Sequence, residues 1–415
     1  MTSASNIAGL SAFFVPAKGG KKMLLSLGFM IIVGYLLGRL FDALNLPSLV
    51  GYIIAGLLMG PSLLNIIDQG ILTISSDLRR IALMIILLRA GLSIDLQDLK
   101  KIGRPAILMS FLPATIEIIG TIILAPLFFD MSYLSAAILG TVIAATSPAV
   151  VVARMLDLMG KGYGQEKGVP QMVLAGSSMD DIFVIIIFTA LTALAQTGEF
   201  HWQSMVAMPT SIILGITGGL LVGWLLSVLI EKYRLSGGYP VILTFGIAML
   251  FDGIEKVMSG PIGFSALLAV MAMGFMMLRV NPVQAKDVQI GFNHLWQAFE
   301  IILFVLVGAS MSIASLQDSG ILAISFIILL LVFRAVGVLL SLVGTKLNKA
   351  ERLFAVFAYM PKATVQAAIG AVPLAMGLAS GQTILTISVV AILVTAPLGA
   401  ILIDQTHTRL LKNDR

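Results

Sequence analysis

The chain has 415 residues, of which 58% are hydrophobic and only 11% charged, and it contains no cysteine. Its mean hydropathy of +1.03 comes from one apolar run of about 20 residues after another, each long enough to cross a bilayer, which excludes a soluble domain, a disulfide framework and a thiolate metal site. A net charge of +5 would suggest nucleic acid in a soluble protein, but here the basic residues lie between apolar runs and read as topology signals.

In chain order, residues 1–21 form a polar tail without the small-residue cleavage site of a signal peptide. Thirteen apolar runs follow, near 22–40, 48–66, 78–95, 103–128, 132–155, 168–195, 203–229, 239–252, 261–279, 293–313, 320–344, 350–377 and 382–404. The expectation is an all-α polytopic membrane protein of about thirteen transmembrane helices, a single unit over 22–404 with a short cytoplasmic tail at 405–415. Its three histidines, His201, His294 and His407, sit near run ends, so histidine chemistry is not expected.

Cytoplasmic loops retain an excess of Lys and Arg. Six basic residues fall on the N-terminal side of the runs and seventeen on the other, which places the C-terminus in the cytoplasm and the N-terminus outside, with Lys18, Lys21 and Lys22 as the opposing signal. No targeting segment is evident, and the compact chain suits a bacterial inner membrane. Three basic residues fall in no loop: Arg89, Arg334 and Lys362.

Four acids lie near run centres as well: Glu117, Asp180, Asp181 and Glu300. At about 3 kcal/mol per ionisable group on an insertion scale, seven embedded groups cost on the order of 20 kcal/mol, so they must pair, line water or bind an ion. Four acids against three bases leaves one negative charge over, as a site for a monovalent cation or a proton requires.

The fifth run is interrupted at Thr146, Ser147 and Pro148, and the twelfth at Pro361, seven runs later. Seven is odd, so the two halves would lie upside down relative to one another with the seventh run as connector, an inverted repeat of the kind transporters use. Pro148 lacks an amide hydrogen and frees the carbonyl of Ala144, and Pro361 does the same for Phe357. Lys362, directly after its break, is placed to compensate a helix end.

ATSPAVV, SSMDD, FEIILFVLVGASM, an arginine in an apolar helix at Arg334, and YMPKATVQAAIG together resemble the monovalent cation/proton antiporters, closest to the NHA-type sodium/proton antiporters. The resemblance covers about residues 25 to 400. It implies the NhaA-type fold with inverted repeats and two crossed discontinuous helices, a core domain including 103–195 and 320–404, and a panel-like domain that forms a homodimer. It also implies exchange of Na+ or Li+ for H+ by alternating access, with no cofactor beyond the transported ions. The family's ion-binding acids fall on Asp180 and Asp181 and its unwound polar contacts on Thr146 and Ser147. Its core basic residues fall on Arg334, with Glu117 or Glu300 as partner, and on Lys362. Antiporters of the NhaA type proper have a lysine in the helix before the second crossing, where this chain has arginine.

Physical chemistry supports the same residues. Sodium takes hard oxygen ligands such as a carboxylate, a hydroxyl from Thr146 or Ser178, and a freed carbonyl. Desolvation disfavours the charged form of a carboxylate, so one group can hold a proton until a cation replaces it. Asp180 and Asp181 are neighbours on one helix and point about 100° apart, so one of them is the direct ligand. Asp181 is preferred because Ser177 lies one turn before it, and Asp180 has an alternative role as partner of Lys362 or of a broken-helix amide end. An arginine does not deprotonate, so Arg334 holds a carboxylate in place, whereas Lys362 can lose its proton. Two protons per cation would move charge across the membrane and one would not; both remain open. Arg89 is either a core ion pair or a snorkelling chain.

The rival of a different class is a sodium-coupled organic-solute symporter of the same fold, which would need more polar side chains than the Ala, Val, Ile and single Gln366 at the crossing. Neighbouring aspartates on one helix exclude an aspartyl intramembrane protease, so no enzyme is expected. No Gly-rich phosphate loop follows a strand, so neither is a nucleotide-binding regulatory domain. The expected partners are membrane lipids and a second copy of the chain.

Overall fold

The computed structural model describes residues 23–93, 103–197, 202–258 and 263–414; the N-terminal tail expected at 1–21 lies outside the described residues. Each apolar run contains helix. The first elements are α1 (Met23–Ala43), α2 (Ser48–Met59), a short α3 (Gln69–Thr73) and α4 (Ser75–Gly91). The fourth run divides into α5 (Arg104–Met109) and α6 (Leu112–Phe129), and the fifth into α7 (Tyr133–Ala144) and α8 (Pro148–Lys161). Then come α9 (Val169–Thr197), α10 (Trp202–Lys232), α11 (Tyr239–Val257), α12 (Ala266–Val280), α13 (Pro282–Ala309) and α14 (Ile313–Ser341). The twelfth run divides into α15 (Lys349–Ala358), α16 (Thr364–Ile369) and α17 (Val372–Ala375), and α18 (Gly381–Leu410) is the last.

Among the described residues, eight helical stretches are long and apolar enough to cross a membrane by length and composition, and three shorter apolar stretches accompany them. Large apolar side chains such as Leu24, Leu127 and Ile321 stand exposed on the outer faces, where lipid suits them. Local chemistry sets the boundaries. Asn348 and Glu351 cap α15 reciprocally, with N–H to side-chain distances of 2.8 and 2.7 Å. Pro148 opens α8, where a missing N–H costs nothing.

The helices pack as two groups. One is a panel in which α10 lies on α12, α13 on α2, and α4 on both α12 and α13; the other is a core in which α6 lies on α7 and α14, and α18 on α14 and α15. Small residues set the closest approaches inside each group. In the panel, a Cβ at Gly215 would stand 2.6 Å from the Ser265 carbonyl, and one at Gly219 or Gly223 would meet the carbonyls of Ala269 and Met273, so three glycines four apart seat α10 on the α12 backbone. In the core, Gly337 of α14 is pressed against Pro113 of α6, where a Cβ would come within 2.5 Å. Polar links follow the same division: Arg80 pairs with Asp252 and Glu255 inside the panel, Arg154 with Asp404 inside the core. The groups touch where α9 meets α10, where α16 meets α4 and α13, and where α18 meets α2.

Among the described residues, the ion pairs at helix ends join loops expected on the same membrane side. Arg80 with Asp252 and Glu255 lies at one end, and Lys167 with Glu351 and Lys412 with Glu166 lie at the other. The short tail expected at 405–415 is helical through Leu410. It then clips onto the α8–α9 turn, with Gly164 N–H donating to the Lys412 carbonyl (2.9 Å) and Asp414 N–H to that of Gly162 (2.9 Å).

Candidate functional site

Both interruptions expected from the sequence are present. Between α7 and α8, residues 145–147 are extended, and between α15 and α16 the chain leaves the helix from Tyr359 to Ala363. The two breaks touch through the backbone, the Ser147 N–H donating to the Pro361 carbonyl at 2.8 Å. This contact puts the inner end of α7 beside Lys362 and Gln366, and α9 brings Asp180 and Asp181 to the same place.

Arg334, 1% exposed on α14, organises the centre. Its Nε donates to the Tyr359 carbonyl (2.9 Å) and its Nη1 to Glu117 Oε2 (3.1 Å) and the Ala144 carbonyl; its Nη2 donates to Asp180 Oδ2 (2.7 Å) and the Thr146 hydroxyl. Five fixed donors meet five acceptors. Lys362 Nζ lies 2.7 Å from Glu117 Oε1 and donates to the Ile143 carbonyl at 2.6 Å. Positive side chains therefore sit at the C-terminal end of α7, where the helix dipole is negative.

Asp180 is fully committed on one oxygen. Besides Arg334, its Oδ2 accepts from the Thr146 N–H (3.0 Å) and hydroxyl (2.9 Å), so it holds the extended bridge between α7 and α8 and is not paired with Lys362, whose carboxylate partner is Glu117. Glu117 and Asp180 thus balance Arg334 and Lys362. Asp181, 4% exposed, has no ion-pair partner among the described residues, and its Oδ1 accepts no hydrogen bond. It is the surplus acid. Ser147 Oγ and Asp180 Oδ1 are likewise buried oxygens without a hydrogen-bond partner, which a cation seeking hard oxygen ligands can use. Ser177, one turn before Asp181, donates its hydroxyl back to the Leu174 carbonyl at 3.2 Å and keeps its lone pairs. The side chain of Ser178 lies outside the described residues.

Glu300 is not in this network. It sits on α13 of the panel, where the nearby charges are Arg89 and Asp42, so the Arg334 partner is Glu117 and the alternative is corrected by which helices pack together. Arg89 itself donates to Asn293 (2.7 Å) and stacks over Trp296, its Cζ 5.4 Å from the ring centroid. Three contributions were not read from the sequence. The Thr395 hydroxyl accepts the Lys362 N–H at 3.0 Å, the Arg334 guanidinium stacks on Tyr359, and the Tyr359 hydroxyl donates to the Met109 carbonyl at 3.3 Å. Pro113 was the available signal for the last, since it frees the carbonyl four residues earlier.

Helices throughout the described residues, two of them interrupted and meeting around a buried acid–base network, are the arrangement secondary ion transporters use. A family model described as "Sodium/hydrogen exchanger, transmembrane" matches residues 28–406. The chain belongs to this sodium/hydrogen exchanger family. Sodium/hydrogen exchanger 9B2 of Homo sapiens is 32% identical over 400 residues, spanning 92% of this chain and 73% of the relative. Sodium/hydrogen exchanger 9B1 of Homo sapiens is 31% identical over 381 residues, 88% and 73% of the two chains. In fold, the chain matches the sodium proton antiporter MjNhaP1 from Methanocaldococcus jannaschii at pH 8, with a TM-score of 0.79 and 20% identity over 94% of this chain and 99% of that one.

Proposed function

We propose that the protein exchanges Na+ or Li+ for H+ by alternating access, with Asp181 as the carboxylate that holds either the cation or the proton. The observation that carries this is the charge balance: Glu117 and Asp180 are matched by Arg334 and Lys362, and Asp181 is left over. With Asp181 ionised, a cation entering the site meets its free Oδ1, the second oxygen of Asp180 and the Ser147 hydroxyl, while Thr146 and Arg334 keep Asp180 in position. When the cation leaves, a proton on Asp181 restores the same net charge. One site that holds either ion, never both, couples the two flows. Because Lys362 is engaged by Glu117 and not by an aspartate, the reading favours one proton per cation and no net charge movement.

In this reading the thirteen runs are thirteen spans, and the two halves form an inverted repeat with α10 as connector and the two interrupted helices crossing at the midplane. The core rocks against the panel, and the panel pairs with a second copy. The C-terminus lies in the cytoplasm and the N-terminus outside, in an inner membrane. The division of close glycine contacts and ion pairs between the two groups supports two bodies that move as units.

The test is made in proteoliposomes with an imposed pH gradient and an internal pH dye. Adding sodium or lithium should dissipate the gradient in the wild type and not in Asp181→Asn. A voltage clamp by ionophore should leave the rate unchanged. Full activity of Asp181→Asn would remove the carboxylate from this role.

A further inference from the structure

Gln366 stands at the start of α16, one turn beyond Lys362, and is 1% exposed. The helix facing it, α7, ends at Ala144 and leaves its last carbonyls without partners of its own. Side chains from elsewhere take three carbonyls at this end. Lys362 Nζ takes Ile143 at 2.6 Å, Arg334 takes Ala144, and Gln366 Nε2 takes Ala145 at 2.9 Å while lying 3.5 Å from the Ile143 oxygen.

These three caps differ in kind. Arg334 and Lys362 are cations shared with carboxylates, and Lys362 can change its charge. Gln366 is a neutral amide whose donors are the same at every pH. It also grips the residue that matters most, because the Ala145 carbonyl begins the extended bridge whose next two residues are Thr146, holding Asp180, and Ser147, bonded to Pro361. Its Oε1 has no hydrogen-bond partner among the described residues, an expensive arrangement for a group that would merely fill space.

We propose that Gln366 is a positioning residue for exchange: its Nε2 pins the Ala145 carbonyl, so that Thr146 and Asp180 are already in place when a cation reaches Asp181. The role rests on the reading of Asp181 as the exchanging carboxylate, and the test separates the two. Gln366→Met keeps the volume and removes the donors, while Gln366→Asn keeps an amide one methylene too short to reach. Sodium dependence of proton exchange is measured in proteoliposomes for both, with Asp181→Asn in parallel. Both Gln366 variants should raise the apparent KM for sodium about tenfold with kcat changed less than about twofold, the usual effect of losing a group that orients a cation's ligands. Should the methionine variant fail to fold, the asparagine variant carries the test. An unchanged KM in either folded variant, or a loss confined to kcat, beside an inactive Asp181→Asn, would overturn the Gln366 role alone. Exchange persisting in Asp181→Asn would overturn the site reading beneath it.

Discussion

Arg334, a cation that does not give up its proton, holds Glu117 and Asp180 in fixed geometry at 3.1 and 2.7 Å. In the proposed exchange that leaves Asp181 as the carboxylate that gains and loses the proton. Breaking such a buried set by removing one member leaves an unpaired charge, which costs about 3–5 kcal/mol. Glu117→Gln should therefore lower the melting temperature in detergent sharply. The double variant Glu117→Gln/Lys362→Met should lower it less than the sum of the singles, because it removes a neutral pair and leaves Arg334 with Asp180; strictly additive losses would show that the two are not coupled. Much of this residue-level picture was legible in the sequence, since Asp180, Asp181, Arg334 and Lys362 are conspicuous as charges in apolar runs. What was not legible was pairing. Whether Arg334 meets Glu117 or Glu300 depends on α14 packing against α6 and not α13, a contact between residues far apart in the chain.

At the scale of elements, proline marked the breaks and glycine set the packing. Pro148 and Pro361 announced both interruptions, whereas the one between α5 and α6 passed unread because Pro113 stands two residues beyond it, already inside α6. Glycines are abundant throughout, yet the sequence does not say which ones touch a backbone. Gly219→Ala drives a Cβ into the Ala269 carbonyl, while nothing lies within 4 Å of a Cβ at Gly246 on α11. The first should destabilise by about 1–3 kcal/mol, as overpacking does. Gly246→Ala should stabilise by up to about 1 kcal/mol through helix propensity. Thermal melts of the two purified variants check this, and equal shifts would mean that the α10–α12 contact is looser than described.

For the whole molecule, the arrangement of two internally bonded groups, joined through α9–α10 and touching through α16 and α18, supports the proposed movement of one against the other. The chain has no cysteine, so an introduced pair across α16 and α4 would be its only thiols. Oxidising that pair should stop exchange and reduction should restore it; full exchange with the bridge formed would contradict the rocking motion. Helix content and order were readable from apolar runs because the bilayer sets their length; the division into core and panel came only through the family resemblance, because the contacts between helices that carry it leave no mark in the runs themselves. The most direct test of the central claim is to count protons released when sodium or lithium binds the purified protein, by calorimetry in buffers of differing ionisation enthalpy. Competition at one carboxylate predicts a release that approaches one proton per cation in the wild type below the titration midpoint and falls to about half a proton at the midpoint, with binding without release, or no binding, in Asp181→Asn. Cation binding to the wild type with no proton released at any pH, or the same release in the variant, would contradict it.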